Sequence, residues 1–293
     1  MKKNKNNESL RERSKPLFWI IRSIPARINN TLFYAKNKTY PNEVFLSENK
    51  GLHLWGHLKF KQLLDTKTQQ IKIPKKIKQI KIDVGTAMNA PNSELWLNNL
   101  SDRVVFGFEP NPKSVRELLS GDNKKYGNSY RYLNLKHVDN RFFLFNVAID
   151  DCSLQLKPFY LTKGDGGNSS LHKPSEFKIK DRIFVPCIRL SDFLSLIPWK
   201  RFRYIEHLKI DTQGNDLRVL KSAGDYLQRI VFISVECTAR GYEHTHTEEE
   251  LDYFMGTEGF EIIPETDRGG NKTYINKKYK NLRGELDYST ENR

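Results

Sequence analysis

Cysteine is scarce. Cys152, Cys187 and Cys237 are the only three in 293 residues, and no two form a Cys-x-x-Cys pair. That excludes a zinc ribbon and a disulfide-dense scaffold, and it suits a reducing compartment. Long apolar runs are also missing: the longest, Leu17 to Ile21, is far too short to cross a bilayer. Glu8, Arg11, Glu12, Arg13 and Lys15 break up the stretch where a cleavable leader needs apolar residues. A cytoplasmic protein is the expectation. Acid is short at one end only. Residues 1–80 hold 18 Lys/Arg against five Asp/Glu, whereas residues 81–293 hold 31 against 30, so the net +14 belongs to the N-terminal region. A nearly neutral body disfavours nucleic acid as partner, and the Asn-Pro-Pro-Tyr/Phe signature of amino-methylating enzymes is absent. Leu17, Phe18, Trp19, Ile20, Ile21 and Ile24 among Lys15, Arg22 and Arg27 would suit peripheral contact with an anionic membrane through residues 15–27.

What remains is rich enough in apolar residues, at 38%, to bury a core. Residues 1–77 read as a basic extension, with a helix expected over Leu52–Leu64 and a Pro74-broken connector after it. From residue 78 to 276 strands and helices alternate. Strands are expected at Ile80–Val84, Val104–Phe108, within Phe142–Ile149, at 153–161, 182–188, Tyr204–Ile210 and Ile230–Val235, with a late hairpin at Phe260–Ile263 and Thr273–Ile275. Helices are expected at Pro91–Leu100, after an Asn111 cap through Leu119, from Ser191 to Leu196, at Gln213–Ser222 and from Thr247 towards Met255. Residues 277–293 read as a loose polar tail. The pattern is α/β: a doubly wound, mostly parallel sheet with helices on both faces and a late antiparallel strand. In such sheets ligands bind beyond the carboxyl ends of the strands, where this sequence places Asp83, Glu109, Asp211 and Glu236.

The first turn, Asp83-Val-Gly-Thr-Ala-Met-Asn-Ala-Pro91, has a single glycine, Gly85. A dinucleotide loop needs three to approach a pyrophosphate, and the P-loop pattern is absent as well. S-adenosylmethionine carries no phosphate but has a ribose diol, and a carboxylate such as Glu109, 26 residues after Asp83, can accept both hydroxyl protons.

Five segments then carry a resemblance: Ile82-Asp-Val-Gly-Thr86; Phe108-Glu-Pro-Asn-Pro112; Asn146-Val-Ala-Ile-Asp-Asp151; Gly167-Asn-Ser-Ser-Leu171 followed by Ile188-Arg-Leu-Ser-Asp-Phe-Leu194; and Leu208-Lys-Ile-Asp-Thr-Gln-Gly-Asn-Asp-Leu217 with Ser234-Val-Glu236. Over residues 78–264 or so the chain resembles the FkbM family of S-adenosylmethionine-dependent methyltransferases. The resemblance implies a class I Rossmann-like fold and methyl transfer to an oxygen, often a sugar hydroxyl. Asp83, Gly85, Thr86, Glu109, Asn111, Ala148 and Asp150 become the expected cofactor-binding residues, with Asp150 taken over Asp151 as acceptor for the adenine amino group. The chain departs from the family twice: Met88-Asn89-Ala90-Pro91 lacks the second loop glycine, and Asp216 stands where the family usually has Glu.

Catalysis then needs alignment of the acceptor oxygen and removal of its proton. Asp211 is the first candidate base, with Lys209 its pairing cation. Glu236 would position the acceptor or share a divalent metal with Asp211. His244, in a His-x-His with His246, is an alternative base or metal ligand. Asn168, Ser169 and Asp216 are expected at the substrate, a carbohydrate or glycoconjugate. A lipid or peptide hydroxyl at a membrane, or a non-catalytic module keeping the fold, are the alternatives.

Overall fold

The computed structural model describes residues 43–46, 52–55, 63–65, 67–121, 131–153, 155–164, 167–237, 240–267 and 270–290. Its strands in chain order are β1 (Glu43–Leu46), β2 (Leu52–Trp55), β3 (Gln79–Val84), β4 (Arg103–Phe108), β5 (Phe142–Phe145), β6 (Ala148–Ile149), β7 (Gln155–Thr162), β8 (Ile179–Ile188), β9 (Ile205–Ile210), β10 (Ile230–Glu236), β11 (Phe260–Ile262) and β12 (Asn271–Asn276). The helices among the described residues are α1 (Pro91–Asn99), α2 (Pro112–Ser120), α3 (Leu190–Leu194), α4 (Asp216–Ser222) and α5 (Glu248–Thr257).

Apolar runs buried on both faces become inner strands. β4 and β9 are buried along their whole length, and β3 and β10 at all but one end residue. They sit in a seven-stranded sheet of order β11-β12-β10-β9-β3-β4-β5. β10, β9, β3, β4 and β5 run parallel, and β12 lies antiparallel between β10 and β11. The chain winds outward from β3 through β4 to β5, then restarts at β9 on the other side of β3. That reversal opens a crevice beyond the β3 and β9 carboxyl ends. A smaller sheet, β6-β8-β7, flanks the crevice. Phe193 of α3 stands edge-on to Phe108 and Phe145, with ring centroids 5.0 and 5.4 Å away. Such edge-to-face contacts add to area burial in fixing the helix against the sheet.

Four expectations change. Leu52–Trp55 is a strand paired with β1, so no helix starts at Leu52; short apolar runs fit either period. Residues 56–62 and the basic stretch 15–27 lie outside the described residues. α4 begins at Asp216 rather than Gln213, because Asp216 folds back on the preceding loop. α3 begins after Arg189, whose N–H donates to the Asp192 carboxylate at 3.0 Å. The expected loose tail is docked as far as residue 290. The buried Lys81 ammonium donates to the Asp287 carbonyl at 2.7 Å, Trp96 Nε1 donates to the Ser289 carbonyl at 2.8 Å, and Tyr288 packs on Phe232. The tail docks through backbone oxygens offered to buried donors and through Tyr279, Leu282, Leu286 and Tyr288, which join a core cluster with Val231 and Phe232. Leu63, Ile71, Ile73 and Ile77 of the expected extension and connector likewise join the main core. Among the described residues, no helix is long and apolar enough to cross a membrane.

Candidate active site

Gly85 ends β3 with φ +79°, a conformation favoured by glycine, and a Cβ there would lie 1.8 Å from the Asp211 carbonyl oxygen. The chain therefore turns tightly over the end of β9. Asp83, just before, is fully buried. Ser93 Oγ donates to its Oδ2 at 2.6 Å, and Lys209 Nζ lies 3.4 Å from Oδ1. Lys209 also donates to the Gly85 carbonyl at 2.8 Å and stands 3.5 Å from Asp211 Oδ2. One ammonium thus ties the ends of β3 and β9 together and neutralises acid on both.

Glu109 follows β4 and lines the crevice. Its Oε2 accepts from the Ala87 N–H and its Oε1 from the Asn111 N–H, each at 2.8 Å. Asn146 fixes the same turn by donating to the Glu109 and Pro110 carbonyls at 2.7 and 3.0 Å. A carboxylate has about four lone-pair positions, so it can accept more than these two bonds. The cleft beside it has a volume of about 40 Å³ and is lined by Gly85, Ala87, Glu109, Ala148, Ile149, Phe159, Ser169, Leu171, Thr212 and Asn215, among others. Its lining combines the Glu109 carboxylate with the apolar side chains of Ala148, Ile149, Phe159 and Leu171.

A second, wider cavity of about 570 Å³ adjoins it, lined by Asn168, Phe177, Lys209, Glu236, Arg240, Asn271 and Tyr288 among others. Asp211 and Gln213 line both spaces. Gln213 Nε2 donates to Asp211 Oδ1 at 2.7 Å and to Glu236 Oε2 at 2.8 Å. Burial, followed by the neighbouring Asp211 and Asp216 charges, pushes the Glu236 carboxyl up to about 9, so it holds its proton at neutral pH. Asp211, the other member of the pair, stands beside Lys209.

The structure brings Gly85, Glu109, Ala148, Ser169, Asn168, Lys209, Asp211 and Glu236 to the two spaces, and leaves six expected residues away from them. Asp83 and Thr86 are fully buried behind the turn. Asn111 is spent as helix cap, its Oδ1 accepting from the Lys113 N–H. Asp150 is buried against Lys157, whose Nζ is 2.6 Å from Oδ2. Asp216 is fully buried and takes the Thr212 N–H, the Thr212 hydroxyl and the Gly214 N–H, shaping the loop that carries Gln213. His244 is exposed, in a left-handed conformation on the 240–246 loop. Among the described residues the close acid–thiol grouping is Asp150, Cys152 and Cys187, apart from the rim acids and already holding the Lys157 ammonium. Gln213, Tyr242 and Phe159 escaped the sequence reading. Gln213 sits inside the quoted Lys209-to-Asp216 motif, which was its signal; the other two lie in segments with no pattern of their own.

A doubly wound sheet with one antiparallel strand beside its edge, and a carboxylate-ended cleft over its switch point, define the class I, Rossmann-like methyltransferase fold. Residues 83–262 match the methyltransferase FkbM domain, and the chain belongs to that family. Two solved structures are similar at low identity. The methyltransferase FkbM of Methylobacillus flagellatus is 12% identical, with 72% of this chain and 46% of that one covered and a TM-score of 0.39. TrmK of M. capricolum, solved with S-adenosylhomocysteine, is 14% identical, with 67% and 60% covered and a TM-score of 0.33. The match thus spans less than two thirds of the length of either protein. No curated protein matches it.

Proposed function

We propose that the protein is an S-adenosylmethionine-dependent O-methyltransferase acting on a hydroxyl of a carbohydrate or glycoconjugate. The observation that carries this reading is the shared wall: Asp211 lines both the cleft beside Glu109 and the wider polar cavity. The residues fit the cofactor. Gly85 lets the chain turn tightly over the end of β9 at the cleft's edge, Glu109 presents a carboxylate to a ribose diol, and apolar Ala148, Ile149 and Phe159 in the lining suit a flat purine. When bound, S-adenosylmethionine supplies an electrophilic methyl group on a positively charged sulfur.

The chain's own residues would do the rest. Asn168, Arg240 and Asn271 offer donors and acceptors to a polyhydroxylated acceptor, and Phe177 and Tyr288 offer aromatic faces. Asp211 accepts the proton of the acceptor hydroxyl as the oxygen attacks. Glu236, protonated, donates to an acceptor oxygen and keeps a second negative charge away from the base. Lys209 holds Asp211 in place and compensates the buried Asp83. A divalent metal at the rim would have to displace the Gln213 amide from both acids. The test is incubation of the full chain with methyl-labelled S-adenosylmethionine and extracted cell-surface glycans. Label in a sugar methyl ether, lost in Asp211→Asn, is expected; label confined to lipid, protein or nucleic acid would overturn the carbohydrate assignment.

A further inference from the structure

Gln213 is a non-glycine residue at φ +56°, in the left-handed region, with its side chain committed on both ends. Its Nε2 reaches Asp211 and Glu236, and its Oε1 lies 2.9 Å from the Tyr242 hydroxyl. Tyr242 OH is also 2.9 Å from the Asn168 carbonyl, and Ser170 Oγ donates to the Gln213 carbonyl at 2.7 Å. The carboxylates set the amide's orientation: a flipped group would turn its oxygen towards the Asp211 carboxylate. Glycine would relieve the backbone at this position, and the sequence keeps an amide instead.

We propose that Gln213 is a positioning residue: its amide, oriented by Tyr242, clamps Asp211 and Glu236 together against the acceptor cavity and latches the 168–170 and 240–243 loops onto them. This rests on the reading of Asp211 and Glu236 as the acceptor-side acids, and it assigns their geometry to a third side chain. A purely structural Gln213 would be replaceable by glycine without consequence for the two acids.

The experiment follows the Glu236 carboxyl by 13C NMR in full-length protein carrying δ-carboxyl-labelled glutamate, with the signal assigned by its loss in Glu236→Gln. Wild type is compared with Gln213→Gly, Gln213→Glu and Tyr242→Phe, and thermal melting checks folding of each. Losing an N–H donor to a carboxylate destabilises its ionised form. Gln213→Gly is expected to remain folded, relief of the left-handed backbone offsetting part of the lost side-chain bonds, and to raise the Glu236 midpoint by about one pH unit, tenfold in proton affinity. Gln213→Glu should raise it further, and Tyr242→Phe should raise it less. An unchanged midpoint in folded Gln213→Gly and Tyr242→Phe would overturn the proposal. S-Adenosylhomocysteine titration of wild type separates the two claims: binding with an unmoved midpoint sinks the clamp alone, whereas a moved midpoint without binding sinks the methyltransferase reading and leaves the clamp standing.

Discussion

Replacing Glu236 by glutamine should make the protein more stable in alkaline conditions, and the size of the gain follows from the site. An unfolded glutamate ionises near 4.5, whereas in the folded chain burial and the Asp211 charge hold the Glu236 proton up to about 9. Between those values the folded state binds one more proton than the unfolded state, so stability falls as pH rises. The slope is about 1.4 kcal/mol per pH unit, so wild type should lose about 4 kcal/mol from this group between about pH 5 and pH 8. The amide of the Glu236→Gln variant has no proton to lose and can still occupy the space. Denaturant unfolding of wild type and Glu236→Gln across that range, subtracted at each pH, cancels every other titration. The difference should be near zero at the acid end and should grow in favour of the variant. Parallel curves would show that Glu236 ionises normally and that Asp211 and Glu236 do not share a desolvated site.

Gly85→Ala should cost at least about 3 kcal/mol in stability and abolish S-adenosylhomocysteine binding, because left-handed φ and the Asp211 carbonyl both oppose a Cβ; calorimetry reads both effects. Lys209→Met should destabilise by about 3–5 kcal/mol by leaving Asp83 buried and uncompensated, and adding Asp83→Asn should recover much of that in a double-mutant cycle. Ending the chain after Glu285 should lower the melting temperature by more than about 4 °C, since Lys81 and Trp96 lose the Asp287 and Ser289 carbonyls; a tail that matters little would leave the melting temperature in place.

The sheet was legible because its strands are short, apolar on both faces and punctuated by Gly85, Glu109-Pro110, Asp211 and Glu236. Those acids at strand ends located the site for the same reason. Tertiary pairing was not legible. The resemblance pointed to Asp216 and Asp150 as ligand residues, and the fold ties the first to backbone amides and the second to Lys157. His244 belongs to a loop whose direction no periodicity encodes. Gln213 matters through partners 2, 23 and 29 residues away, a relation visible only once β9, β10 and the 240–246 loop converge. The tail's apolar residues, Tyr279, Leu282, Leu286 and Tyr288, are too scattered for a periodic signal, and its carbonyl oxygens leave none.

The most direct measurement compares S-adenosylhomocysteine with its 2′-deoxy analogue by calorimetric titration, in wild type and in Glu109→Ala that retains its circular dichroism. If Glu109 grips the ribose diol, wild type should bind the ribose form at least about tenfold more tightly, as expected for one hydrogen bond to a charged group, and Glu109→Ala should lose that preference. Equal affinity of wild type for the two nucleosides would contradict it.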